Sequence, residues 1–164
     1  MVNMSSIPFT LIAIDPAVAD ALRAVGGPGY VADTNPGYPC RQCLRDAEVG
    51  DELILVSYDP FEDTASPYRC ASPIFLHREP CLPYDDDHRT DGQLPTQLTS
   101  RSLSVRAFDA DAMMIDAALI EGTSLDDTID RLLANGDVDH LHVHNASRGC
   151  FAARVDRRAD HIAV

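Results

Sequence analysis

Residues 102–119, with the sequence SLSVRAFDADAMMIDAAL, carry the pattern that decides the fold. Polar and apolar residues alternate through Leu103, Val105 and Ala107, and a polar turn follows at 109–111. Period-two alternation on both sides of a turn predicts a β-hairpin with one buried face. The residues of the second strand that this pattern assigns to the buried face are Met113, Ile115, Ala117 and Leu119.

The segments on either side of the hairpin complete an α+β pattern. A helix is predicted from the N-cap Asp15 to the glycines that begin at Gly26, with one apolar face formed by Val18, Ala21, Leu22 and Val25. A second amphipathic helix begins after Thr123 or Ser124. Short apolar or alternating runs predict further strands at 7–14, 52–58, 73–77, 138–144 and 151–155.

This order of elements predicts one α+β domain over residues 1–164, with a mainly antiparallel sheet and two helices. The segment at about 79–100 is polar, acidic and poor in apolar residues, so we expect a long mobile loop there. Residues 30–39 are also expected to form a loop.

Composition excludes several classes of function. The 164 residues carry a formal net charge of -13, which disfavours nucleic acid and anionic membrane surfaces as partners. The sequence has no lysine, so lysine Schiff-base chemistry and a P-loop lysine are excluded. It has neither a secretory signal pattern nor an apolar run long enough to cross a bilayer, and we expect a cytoplasmic protein with reduced thiols.

Two pairs of residues have the chemistry of a metal site. Cys40 and Cys43 form a C-x2-C pair, in which a tight turn can direct both sulfurs at one ion. His77 and Cys81 form an H-x3-C pair at the end of a predicted strand. Together the pairs supply the four sulfur and nitrogen ligands that tetrahedral zinc prefers, although a long connection separates them.

A second group of candidates lies on the last two strands. Alternation along the strand places His140, His142 and His144 on one face. If these histidines are not ligands, we expect that face to be exposed to solvent. If the apolar residues of both strands face the core, Cys150 lies near His142 or His144 across the hairpin. Such a pair can bind a ligand, or the histidine can activate the thiolate.

The five cysteines therefore have three interpretations: buried core residues, a metal site, or redox-active or nucleophilic thiols. The thiol interpretation makes Cys150 or Cys43 the nucleophile and His142 the base of an enzyme acting on a small molecule. A non-catalytic alternative uses Arg41, Arg45 and Arg154 to bind an anionic ligand. The sequence does not decide whether the protein is an enzyme.

The same residues resemble a bacterial family catalogued as domain of unknown function 1203. The resemblance covers about residues 38–157 and implies no reaction, but it implies that the cysteines and histidines belong to a family pattern. His144 is a departure, because the family usually has an arginine there, and His144 would bind an anion only when protonated. The matching motifs are CRQCLR at 40–45, GDELILVSYDPF at 50–61, PY at 67–68, PIFLH at 73–77 with Cys81, SVRAFDADAMM at 104–114, and HVHNA at 142–146 with GCF at 149–151.

The favoured hypothesis is thus a small cytoplasmic protein with a zinc-binding structural or ligand-binding domain. The proposed zinc ligands are Cys40, Cys43, His77 and Cys81. The alternative is a thiol-dependent enzyme.

Overall fold

A computed structural model describes residues 7–89 and 92–159 of the chain. Within that part of the chain the strands form two antiparallel sheets, one of five strands and one of three. The fold is α+β, as the sequence predicts. Its strands are β1 (Phe9–Ile12), β2 (Gly29–Val31), β3 (Glu52–Tyr58), β4 (Ser72–His77), β5 (Ser102–Phe108), β6 (Met114–Glu121), β7 (His140–Asn145) and β8 (Phe151–Arg157), and its α-helices are α1 (Pro16–Val25), α2 (Thr96–Thr99) and α3 (Leu125–Leu133).

The five-stranded sheet has the order β1-β8-β7-β5-β6, and α3 covers one of its faces. The predicted inward residues of β5, namely Leu103, Val105 and Ala107, are fully buried in this core. They pack in the same cluster as Ile129 and Leu132 of α3. The apolar stripe of α3 and the alternation of β5 therefore meet, as the two periodicities require.

The predicted inner face of β6 is wrong. A register shift between Ala107 and Phe108 changes which β6 residues lie opposite the core residues of β5, and Leu103 pairs with Ile120. Because directly paired residues share a face, Ile120 points to the core, and Leu119 is 77% exposed. The other residues assigned inward from the sequence, Met113, Ile115 and Ala117, are also exposed.

The three-stranded sheet has the order β2-β3-β4 and packs with α1 and with Phe151 of the larger sheet. Strand β2 lies partly within the segment that the sequence assigns to a loop. Asp15 caps α1 as predicted, by accepting a hydrogen bond from the Ala17 amide. The predicted face of this helix is only partly right: Leu22 packs against the core, whereas Val18, Ala21 and Val25 are exposed. The fully buried residue of the helix is Ala19.

The segment at about 79–100 contains more structure than the sequence predicts. A 3₁₀ turn at Asp86–His88 and the short helix α2 lie within it, and α2 is an addition to the two predicted helices. Leu98 is fully buried, and the buried Asp86 carboxylate binds Arg89. Residues 90–91 lie outside the described part, and the mobility of this segment stays a prediction.

The corrected register predicts opposite effects for two leucines on neighbouring strands. Leu103→Ala removes a fully buried side chain, so we expect a loss of about 2–5 kcal/mol of unfolding free energy. Leu119→Ala removes an exposed side chain and should change stability by less than about 0.5 kcal/mol. Urea unfolding of the two variants checks this, and a large loss for Leu119→Ala would contradict the register.

Candidate metal centre

The C-x2-C segment is a tight turn held against the middle of β4. The Cys40 amide donates to the Arg45 carbonyl at 3.0 Å, and the Arg41 amide donates to the Phe75 carbonyl at 3.0 Å. Leu44 has a left-handed φ of 52°, a conformation that costs an L-residue about 1–2 kcal/mol. Its side chain is buried, and its amide closes the turn on the Cys40 carbonyl.

The H-x3-C pair reaches the same place through a second set of contacts. His77 is the last residue of β4, and Cys81 follows four residues later in the sequence. The Gln42 amide group donates to the Cys81 carbonyl at 2.9 Å. Arg23 of α1 donates to the His77 carbonyl at 2.8 Å and to the Gln42 side-chain oxygen at 2.6 Å. Both pairs are therefore fixed to one helix by one arginine.

These contacts bring the four predicted ligands together. One donor atom from each of Cys40, Cys43, His77 and Cys81 lies within 4.8 Å of the other three. The Cys40 and Cys81 sulfurs are 3.7 Å apart, and the Cys43 sulfur is 3.8 Å from His77 Nδ1. A zinc tetrahedron with bonds of about 2.3 Å to sulfur and about 2.0 Å to nitrogen has edges of about 3.5–3.8 Å. The two shortest of these separations match the edges of such a tetrahedron, and the 4.8 Å limit on the others places all four donor atoms around one point, so the group could hold a metal ion.

The close approach of these groups shifts the pKa values of Cys40, His77 and Cys81. Interactions with the Cys43 and Cys81 thiols lower the pKa of Cys40, and the interaction with Cys40 raises the pKa of Cys81. Contact with the Cys40 sulfur and then with Cys43 raises the pKa of His77 to about 10. A bound cation would replace these shared protons, because thiolate and neutral imidazole are the forms that ligate metals.

Asp51 is part of the site, and the sequence analysis missed it. Its carboxylate oxygen lies 3.2 Å from His77 Nε2, so Nδ1 is the ring nitrogen that faces the sulfurs. A carboxylate on the remote nitrogen orients a ligating histidine and raises its basicity. The pairing of β3 with β4 could have predicted this contact, because it places His77 opposite Leu53, which is two residues after Asp51.

Cys70, the third cysteine in sequence order, is exposed and does not join the cluster. Its sulfur contacts the Ala71 carbonyl at 3.7 Å. All five cysteines are free thiols.

The proposed pairing of Cys150 with a histidine is not what the structure shows. A register shift between Val143 and His144 places Phe151 opposite His144. The described polar contacts of the Cys150 sulfur are Arg41 Nη2 at 3.1 Å and Asn145 Nδ2 at 3.7 Å.

The histidine face of β7 is buried, so the prediction of a solvated face is wrong. His140, His142 and His144 are at most 7% exposed, and the rings of Phe61 and Phe151 lie 4.7 Å and 5.3 Å from that of His142. Burial lowers the pKa of His142 to about 2 and that of His144 to about 4. The lowered pKa values keep His142 and His144 neutral near pH 7, and among the described residues no hydrogen bond links His142 to Cys150.

The three arginines suggested as an anion site do not converge. Arg41 is buried and reaches β8, where it donates to the Phe151 carbonyl. Arg45 is exposed beside a groove on the other side of the C-x2-C turn. Arg154 pairs with Asp156 at 2.6 Å.

Comparison with family models assigns the chain to a class of proteins defined by sequence alone. Residues 37–157 match the model described as "Protein of unknown function (DUF1203)", which confirms the resemblance seen in the motifs. The chain belongs to this family. Comparisons with curated proteins and with solved structures gave no match. Among the described residues there is no helix with the length and apolarity needed to span a membrane.

The buried histidines predict an acid-sensitive stability. The unfolded chain binds a proton at His142 below about pH 6.5, whereas the folded protein, with its lowered pKa, excludes that proton. Stability is therefore lost as pH falls through 6.5. From pH 7.5 to 5.5, His142→Leu should lose about 1.4 kcal/mol less unfolding free energy than the wild type.

Urea unfolding at the two pH values measures this difference. The Cys/His cluster is the same in both proteins, so its own pH dependence cancels in the comparison. An equal loss in the two proteins would show that His142 is protonated in the folded state.

Proposed function

We propose that the protein binds one zinc ion through Cys40, Cys43, His77 and Cys81, and that the ion has a structural role. The observation that carries the proposal is the spacing of the four donor atoms, which lie within 4.8 Å of one another. Four protein ligands fill a tetrahedron, as in structural sites, whereas catalytic zinc keeps a position for water or substrate.

The donor set favours zinc over harder cations. Three sulfurs and one imidazole nitrogen are soft or borderline ligands, whereas Mg²⁺ and Ca²⁺ prefer an oxygen shell. The Asp51 carboxylate lies behind His77 rather than beside the sulfurs, so it acts as a hydrogen-bond partner and not as a fifth ligand.

The ion would join segments that are distant in sequence. It would tie the C-x2-C turn to the end of β4 and to the segment that follows it. Arg41 lies inside that turn and connects it to β8 of the five-stranded sheet. A metal that fixes the turn therefore also fixes the junction of the two sheets, and its binding free energy adds to folding free energy.

The thiol ligands indicate where such a protein works. Thiolates hold zinc only while they are reduced, and the cytoplasm maintains that state. We therefore propose a cytoplasmic protein. The resemblance to a bacterial family suggests a bacterial origin. The net charge of -13 supports the expectation that nucleic acid and anionic membranes are not its partners.

Substitution of one ligand tests the stoichiometry. Protein purified without chelators should contain one zinc per chain by elemental analysis, and Cys81→Ser should contain less than half of that amount. Cys70→Ser is the matched control, because Cys70 is exposed and lies outside the cluster. Full zinc content in Cys81→Ser, or metal-free wild-type protein, would contradict the proposal.

Substitution of the carboxylate behind the histidine tests the geometry. Asp51→Asn should lower the zinc affinity about 10–100-fold, because His77 loses its charged partner. Glu52→Gln is the control, because it makes the same change of charge at the next position and should leave the zinc affinity unchanged. The Glu52 carboxylate forms an ion pair with Arg78 at 3.7 Å and makes no hydrogen bond or ion pair with His77 in the described part of the chain.

Titration against a competing chelator measures both affinities. Equal affinities of the Asp51 and Glu52 variants would show that Asp51 does not orient a metal ligand.

A further inference from the structure

A cavity of about 650 Å³ lies beside the C-x2-C turn, between the three-stranded sheet and the turn that joins β7 to β8. Its volume is within the range of small-molecule sites. It is separate from the metal centre, since none of the four proposed zinc ligands lines it.

The charge of the lining is opposite to that of the chain. The sequence has 26 acidic and 13 basic residues, yet the lining includes three arginines and no acidic residue. Asp46 neutralises one of them, Arg101, through two hydrogen bonds of 2.6 Å and 3.0 Å. Arg148 is exposed and has no hydrogen bond or ion pair among the described residues. A locally positive cavity in an acidic protein attracts anions.

Arg41 provides a charge that is buried without a carboxylate. It is 1% exposed, and its side-chain hydrogen bonds go to the carbonyls of Pro39 and Phe151 and to the Cys150 sulfur. Arginine remains protonated in proteins, and an unpaired buried charge is costly. An anion bound in the cavity would supply the missing counter-charge.

Asn145 provides an unused hydrogen-bond acceptor. The side chain is 9% exposed, and its Oδ1 atom has no partner among the described residues. Its Nδ2 group is engaged with the Cys150 sulfur at 3.7 Å. Buried acceptors are almost always paired, so an orphan at a cavity wall points to a donor from a ligand.

The opposite wall is aromatic. The rings of Tyr30 and Tyr38 each lie 5.4 Å from that of Phe75. Leu55 and Pro73 extend this wall with apolar surface. A planar group of a ligand can stack on such a surface and bind more tightly, whereas an inorganic anion gains no binding free energy from it.

We propose that this cavity binds a small planar molecule that carries a carboxylate or phosphate group. The anionic group lies between Arg41 and Arg148, a donor of the ligand faces Asn145, and the planar group packs on the wall of Tyr30 and Phe75. The proposal goes beyond the metal centre and needs no zinc at the binding site.

Binding of simple probes tests the proposal. The as-purified protein is titrated with phenyl phosphate, benzoate, benzamide and inorganic phosphate while backbone amide NMR signals are followed. Phenyl phosphate and benzoate should shift the signals of residues 145–150. Benzoate should bind at least about tenfold more tightly than neutral benzamide, and phenyl phosphate at least about tenfold more tightly than inorganic phosphate.

Two variants, Arg148→Gln and Tyr30→Leu, test the anion-binding and aromatic parts of the site separately, and Arg131→Gln is the control. Arg148→Gln should raise the dissociation constant of phenyl phosphate about tenfold or more, whereas Arg131→Gln on α3, a surface substitution of equal charge, should not change it. Tyr30→Leu should remove the advantage of phenyl phosphate over inorganic phosphate.

Three results would overturn the proposal. They are no binding of either anionic aromatic probe, equal binding of phenyl phosphate and inorganic phosphate, and equal affinities in the Arg148 and Arg131 variants.

Discussion

The structure depends on the convergence of three sulfurs and one imidazole nitrogen on a single point. The weak contacts of 3.7–3.8 Å between these donor atoms are not enough to hold the four side chains together. The surrounding hydrogen bonds do so, through Arg23 on one side and the β4 backbone on the other. A tetrahedral cation would convert this constrained set of donors into a crosslink between the C-x2-C turn and the small sheet. The proposed structural role follows from that geometry.

Arginine side chains connect the metal centre to the rest of the protein. In a chain with no lysine, each fixed side-chain cation is a planar guanidinium with several donors. Arg23 binds α1 to both ligand pairs, Arg41 joins the turn to β8, and Arg101 binds the Asp46 carboxylate beyond it. The proposed metal centre and the positive cavity therefore share one turn: Cys40 and Cys43 belong to the Cys/His cluster, and Arg41 lines the cavity. Each site can be altered without changing the ligands of the other.

The sequence predicted the features that depend on local pattern and residue chemistry. The strand at 52–58, the buried face of β5, the N-cap of α1 and the grouping of Cys40, Cys43, His77 and Cys81 are of this kind. It failed where tertiary contacts decide. One shift between Ala107 and Phe108 reversed the expected face of β6, and another between Val143 and His144 separated Cys150 from the histidines. The ring of Phe61, which follows β3 in a loop distant in sequence, packs on His140 and His142 and helps to bury them. Asp51 could be recognised as a partner of His77 only from the pairing of β3 with β4, which the sequence of either segment alone does not give.

The most direct test of the central claim is X-ray absorption at the zinc edge of the purified protein. A shell of three sulfur atoms at about 2.3 Å and one nitrogen atom at about 2.0 Å would show that the two pairs hold one ion together. A shell made only of oxygen and nitrogen atoms, or one with fewer than three sulfur atoms, would contradict it, because the sulfurs of Cys40, Cys43 and Cys81 would not share a metal.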